Sequence, residues 1–231
     1  MKVIGIIQAR YNSTRLPGKV CKEINGLPLL WHIYRRMLAC KELDQVVVAM
    51  GDGDGWERIM DTCSDHAMLF TLGDETDLIS RIRKASQEYR ADAFVRVTAD
   101  CIWTGPEFID AIVGDYKNLY PIHRGFASWP DRHVSEGLDM EIMSTELLAQ
   151  LDRDKDCPRE DFMTYAIKNK LIDPWPSCAG RIMGYSCQDL HLSIDTQEDF
   201  DQAEKMMKYM ADYEFSYSDT LRAYNHVHAG K

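Results

Sequence analysis

Four short apolar runs, each separated from the next by a segment of helical period, constrain this chain more than any other feature. VIGII (3–7) and QVVVAM (45–50) are apolar and β-branched throughout, while AMLFT (67–71) and AFVRVT (93–98) continue the series more weakly. Runs that are apolar on both faces belong in sheets covered on both sides, as parallel sheets are. Between them lie residues 27–40, 55–64 and 75–89, each with apolar side chains three to four positions apart. In the third, Leu78, Ile79, Ile82 and Ala85 share one face. Strand–helix–strand repetition with right-handed crossovers predicts a three-layer α/β/α fold with a mostly parallel sheet.

The second half is less regular. Thr104 and Glu107 have capping-box spacing with Pro106 in the first turn, which predicts a helix over 106–119. Residues 120–137 are aromatic, His-rich and broken by Pro and Gly, and open an excursion near 120–175. Within it, 138–144 alternates like a half-buried strand, followed by helical patterns at 145–153 and 159–170. A late strand is expected at 191–194, then a helix opened by Asp195 and Glu198 at capping-box spacing. SYSD (216–219) is expected to start a last helix. The expected organisation is one domain over 1–231, with its core in about 1–205 and a helical tail at 206–231.

Lys and Arg total 27 against 37 Asp and Glu, a formal net charge of −10. An acidic whole argues against broad nucleic-acid binding, which rests on neutralising phosphates. The seven cysteines (21, 40, 63, 101, 157, 178 and 187) include no C-x-x-C pair and are odd in number, so reduced thiols are expected. The opening apolar run is too short for a signal core or a membrane span, and a cytoplasmic location is expected.

Against that acidic background, IIQARYNSTRLPGKV (6–20) sets Arg10, Arg15 and Lys19 within ten residues, just after the first strand. Cations this close repel one another and contribute nothing to a core. With the Ser13 and Thr14 hydroxyls and a Gly18 backbone open to close approach, they suit a polyphosphate; the bland alternative is three solvated surface cations. Neither the GxxxxGK[ST] nor the GxGxxG spacing is present. Two acids, Asp100 in VTADC and Asp195 in SIDTQED, stand at predicted strand ends. If they meet at the same rim they can share a Mg²⁺ ion, which bridges one or two carboxylates to phosphates; separately, Asp100 is an ordinary turn acid and Asp195 a helix N-cap. Asp52-Gly53-Asp54 has the D-x-D pattern of many glycosyltransferase metal sites, but Gly/Asp pairs at strand ends are usually turns. His123, Arg124, Trp129, Arg132 and His133 cluster in the excursion, facing either an anionic acceptor or a subunit contact.

The segments IIQARYNSTRLPGKV, VRVTADCIWTGPEFID, EGLDMEIMS, PREDFMTYAI and LSIDTQEDFDQAEK occur in this order. Together, over about residues 1–205, they resemble the cytidylyltransferases of the spore-coat polysaccharide type, relatives of the CMP-KDO and CMP-sialate synthetases. The resemblance implies a nucleotide-diphospho-sugar transferase (Rossmann-like) fold and transfer of CMP from CTP to a small-molecule acceptor, with release of pyrophosphate. It implies that Arg10, Arg15 and Lys19 hold the CTP phosphates and are catalytic, that Ala9, Ser13, Gly18 and Thr98 complete the nucleotide site, and that Asp100 and Asp195 bind Mg²⁺. Arg132, Gly137, Asp139, Glu141 and Arg159 are the implied acceptor residues, and a homodimer is the implied assembly. The chain departs from the pattern at Ile102-Trp103, where relatives have Pro, at Asp161 and Ala166, and before Gly137, where Phe-Pro is absent. A glycosyltransferase using a nucleotide sugar is the alternative enzyme.

Overall fold

The structure, a computed structural model, describes residues 1–129, 135–175, 190–210 and 215–229. Its seven-stranded sheet runs in the spatial order β5-β4-β1-β6-β8-β7-β9. The first four are β1 (Val3–Ala9), β4 (Gln45–Gly51), β5 (Phe70–Gly73) and β6 (Ala93–Thr98), all mutually parallel. A small separate ladder joins β2 (Glu23–Ile24) to β3 (Leu27–Pro28). The 120–175 segment returns to the sheet: β7 (Gly125–Ala127), β8 (Met140–Ser144) and β9 (Asp173–Pro174) extend it beyond β6. Only β8 opposes the common direction, pairing antiparallel with both β6 and β7.

Alternation along β1 divides the core. Val3, Ile7 and Ala9 face α1 (Leu29–Leu38), α2 (Trp56–Asp65) and α4 (Pro106–Leu119). Ile4 and Ile6 face α3 (Leu78–Glu88), α5 (Thr145–Arg153) and α6 (Phe162–Lys168). Each fully buried Ile, Val or Phe contributes roughly 1.5–3 kcal/mol over its exposed state. Gly5 lets α1 pack closely on β1: a Cβ there would lie 2.6 Å from Met37 Cε and 2.9 Å from Leu43 Cδ1, so both side chains would have to shift. Two further helices, α7 (Gln197–Met207) and α8 (Tyr217–His228), close the α1/α4 side, with Tyr217 edge-on to Phe108.

Several local expectations need correction. The predicted strand at 67–71 forms at 70–73, because Ala67 adopts a positive φ of 52° and ends the α2 turn. The predicted helix 159–170 is shortened to 162–168. No strand forms at 191–194; His191 makes a single bridge to Glu136. The Thr104–Glu107 box is not made, since Gly105 is the N-cap and Glu107 instead accepts the Tyr217 N–H at 2.6 Å. The α7 box is offset by one residue: Thr196 caps, and Asp199 accepts its N–H at 2.8 Å. That offset leaves the Asp195 side chain free of capping duty. The last helix does start at SYSD, where Ser216 and Asp219 form a capping box that opens α8.

Candidate active site

From β1 the chain builds β4 and β5 to one side, then crosses back to place β6 on the other. Strand order therefore reverses between β1 and β6, and open α/β sheets bind ligands beyond the carboxyl ends of the strands at such a point. The basic turn leaves β1 there. The Tyr11 carbonyl accepts the N–H groups of Ser13 (3.0 Å) and Gly18 (2.8 Å), closing the loop on itself. Gly18 sits at φ 70°, and a Cβ there would lie 3.0 Å from the Tyr11 ring, so the turn depends on glycine. Lys19 then starts a single 3-10 turn, Lys19–Cys21.

Lys19 is only 7% exposed. Its Nζ donates to Asp100 Oδ2 (2.6 Å), the Ile194 carbonyl (2.7 Å) and Asp195 Oδ1 (3.0 Å). All three ammonium donors are used, which is what lets a charge this buried persist. Arg15 reaches the other Asp195 oxygen at 2.9 Å, and Ser193 Oγ donates to it at 3.3 Å. Burial acts to raise the Asp100 carboxyl pKa, but the charge and hydrogen bond of Lys19 prevail and hold it below its ordinary value. The Ile194 N–H bonds the Asp100 carbonyl, so the two acid-bearing segments are stapled together through their backbones.

The structure thus brings Arg15, Lys19, Asp100 and Asp195 together from segments far apart in the chain. They line a cleft of about 410 Å³ with Arg10, Ser13, Thr14, Thr98 and Gln8. Ala9 is the buried last residue of β1 beneath it. Among the described residues no trio of His, Cys, Asp or Glu converges as a metal site. Asp100, Asp195 and the Ile194 carbonyl nonetheless form a hard-oxygen set around one cationic atom. That donor chemistry fits Mg²⁺ when substrate phosphates supply the remaining ligands. Asp52 serves otherwise: its carboxylate accepts the Glu75 N–H at 2.9 Å, which makes GDGDG a tied turn. Cys101, beside Asp100, is pushed far toward the thiol by burial and is no nucleophile.

Thr98, Glu136 and Asp139 also line a second cavity of about 340 Å³. Its wall is a buried polar network on the α6 side of the sheet. Arg96 forks onto Glu141 with bonds of 3.0 and 2.8 Å, and the Trp129 indole donates to Glu141 at 2.7 Å. Register explains the pair, because Arg96 on β6 stands directly opposite Glu141 on β8. Asp161, Met163 and Thr164 close the cavity from the start of α6. Gly137, at φ 93°, packs on the Leu192–Ser193 backbone and carries the chain to Asp139. Arg159 is not brought to either cavity; it pairs with Asp77 (2.8 Å) and Asp152 (2.6 Å). Arg132 lies outside the described residues. Gln8, Arg96, Glu136 and Ser193 were missed from sequence; an Arg inside the apolar run AFVRVT was the signal for Arg96.

Comparison with known proteins agrees with this geometry. The model of a family described as cytidylyltransferase matches residues 4–226. A cytidylyltransferase structure from Leptospira borgpetersenii superposes with a TM-score of 0.89 at 27% identity, covering 99% of this chain and 96% of that one. A CMP:2-keto-3-deoxy-manno-octonic acid synthetase solved with CTP shares the fold, with a TM-score of 0.67 at 16% identity over 90% of this chain and 99% of that one. The 3-deoxy-manno-octulosonate cytidylyltransferase of Syntrophobacter fumaroxidans is 32% identical over 121 residues, 49% of this chain and 46% of its own length. The alignment to this curated relative therefore spans about half of each protein. The fold, the cleft at the strand reversal and the match across nearly the whole sequence agree: the chain belongs to the cytidylyltransferase family.

Proposed function

We propose that this protein transfers CMP from CTP to a small acceptor and releases pyrophosphate, acting as a single nucleotidyltransferase domain. One observation carries the proposal: Lys19 bridges Asp100 and Asp195, and Arg15 joins it on Asp195, in a cleft that opens onto a second polar cavity. The solved synthetase with CTP adds support through its shared fold. The triphosphate binds the Arg10–Lys19 turn, and an acceptor oxygen presented from the second cavity attacks the α-phosphorus. The bond to the β-phosphate breaks and pyrophosphate leaves along the turn. No covalent protein intermediate is needed, because such transfers depend on positioning and on neutralising charge.

Asp100 and Asp195 would hold Mg²⁺, whose Lewis acidity neutralises the phosphate oxygens when it is bound. As nucleotide enters, Lys19 and Arg15 leave the carboxylates for phosphate oxygens, Lys19 as a mobile point charge and Arg15 as a fork. Thr98, at the junction of the cavities, borders both substrates. Gly137, Asp139 and Glu141 shape the acceptor side, which accommodates a sugar acid, a sugar phosphate or another small phosphorylated compound. Surface polysaccharide or glycoconjugate synthesis in the cytoplasm is the setting that the resemblance supports.

The test is a thermal-shift panel of CTP, UTP, GTP and ATP, with and without Mg²⁺, followed by pyrophosphate release against an acceptor panel. A ligand that binds only the native state raises Tm by mass action. A shift selective for CTP and enlarged by Mg²⁺ is expected. A shift with a nucleotide sugar but with no triphosphate would overturn the proposal in favour of a glycosyltransferase.

A further inference from the structure

The GDGDG turn lies on the opposite side of β1 from the second cavity. Gly51 on β4 pairs with Gly73 on β5, one residue beyond the Ala9–Met50 pair. Arg10, Gly51 and Gly73 therefore stand abreast at the carboxyl rim. The Glu75 side chain lies across this glycine floor: a Cβ on Gly51 would fall 1.8 Å from Glu75 Oε2, and one on Gly53 would fall 2.8 Å from its Cδ. Neither glycine has a positive φ. The space they leave is for the carboxylate.

The loop presenting Glu75 is tightly tethered. Asp52 holds its N–H, Asp74 Oδ1 accepts from Thr76 N (2.8 Å), Thr76 Oγ1 (2.9 Å) and Asp77 N (2.7 Å), and Asp77 caps α3. Beneath it Arg81 is 2% exposed, with no hydrogen-bond partner for Nε or Nη1. Glu75 Oε2 is equally without one and faces Arg81 Nη1 at 3.8 Å, beyond hydrogen-bond range. Folding alone leaves the buried Arg81 and the half-buried Glu75 incompletely satisfied, beside a loop otherwise rich in hydrogen bonds. Native proteins keep such groups rarely, and each calls for an explanation. Arg10 of the phosphate turn lies close enough for its charge to act on Arg81.

With the triphosphate on the turn after β1 and the second cavity on the β6 side, the base has β4 and β5 to lie over. Two strand spacings, roughly 10 Å, separate β1 from β5, room for a ribose and a pyrimidine ring. We infer that Glu75 is the residue that selects cytosine, accepting the exocyclic amino group on its outer oxygen while Arg81 steadies the inner one from behind. Uracil would set a carbonyl lone pair against the carboxylate. This rests on the CTP-dependent function proposed above. Glu75 touches the base, and Arg81 is a positioning residue.

The test is calorimetric binding, with Mg²⁺ present, of CTP, UTP and the cytidine triphosphate analogue bearing hydrogen at C4. Wild-type protein is expected to bind CTP roughly ten- to hundredfold tighter than either, the size of one hydrogen bond to a charged group. Glu75→Gln, whose amide both donates and accepts, is expected to bring CTP and UTP within about threefold of one another. Arg81→Lys is expected to narrow the same ratio, which a purely structural role would leave unmoved. The analogue comparison needs no variant, so misfolding of either substitution leaves the test intact. CTP binding with an unchanged ratio in Glu75→Gln, or equal wild-type affinity for CTP and the C4-hydrogen analogue, overturns this inference alone. Wild-type protein that binds none of the three triphosphates overturns the function itself.

Discussion

The two cavities that meet at Thr98 are assembled by opposite means. The first takes its cations from one continuous stretch, Arg10 to Lys19, and borrows only its acids from elsewhere. The second gathers Arg96, Trp129, Glu141 and Asp161 from four separate segments, joined by strand register and the entry of α6. The first is held by ion pairs that a substrate can exchange, since phosphate oxygens can replace carboxylates around Lys19. The second is held by a forked Arg–carboxylate pair with an added indole bond, which is stronger and more geometrically specific than a single ion pair. The first cavity is thus the exchangeable half and the second the fixed one. The departures from the family pattern fall in different places. Asp161 lines the second cavity, and Trp103 is buried against Phe215 under the loop that carries Asp100.

The largest effect expected is on the fixed half. Glu141→Ala leaves the Arg96 charge buried without its carboxylate and is expected to cost about 3–5 kcal/mol in urea unfolding. A loss under about 1 kcal/mol would mean the network is slack, and the contrast between the cavities would fail. Next comes Lys19→Ala, expected to slow CTP-dependent pyrophosphate release by roughly 10²–10³-fold, about 3–4 kcal/mol of transition-state stabilisation. Retained turnover would show that the turn neutralises nothing.

A smaller effect tests how Asp195 is kept for the first cavity. Thr196→Ala removes the α7 cap and is expected to cost about 1 kcal/mol in thermal or chemical unfolding. The smallest is a pH effect on the same cap. Burial tends to raise the Asp199 carboxyl, but hydrogen bonds from Thr196 and from the Asp195 N–H hold it below its ordinary 3.8. Its stabilisation is therefore present above pH 3.8 and lost as pH falls through the lower folded value. Acid unfolding of Asp199→Asn should lack this part of the pH dependence, and an acid limb identical to wild type would assign it elsewhere.

The parallel strands and the basic turn are legible because each is a local pattern: an apolar run, or cations and a glycine within ten residues. The acid pair was half legible. Both positions stand out in the sequence as candidate Mg²⁺ ligands, but the cap does not, because Asp195–Glu198 and Thr196–Asp199 have the same spacing. Which pair forms depends on Lys19 claiming the first acid, a contact made across 176 positions. The Arg96–Glu141 pair was not legible, since it exists only once β8 lies antiparallel to β6 in one register. The GDGDG turn read correctly as a turn. What its glycines make room for is visible only when Glu75, more than twenty residues on, folds over them.

The span between Lys19 and Asp195 also has a meaning during synthesis. A ribosome adds about 5–20 residues per second, so roughly 10–35 s separate the emergence of the lysine from that of the second acid. In that interval β1, β4, β5 and β6 can assemble, but the turn has only half of its carboxylate complement. Of the three acceptors that hold the buried Lys19 ammonium in the folded protein, the Ile194 carbonyl and Asp195 are thus missing until late in synthesis. The complete Lys19 cage becomes available only after most of the polypeptide has been made.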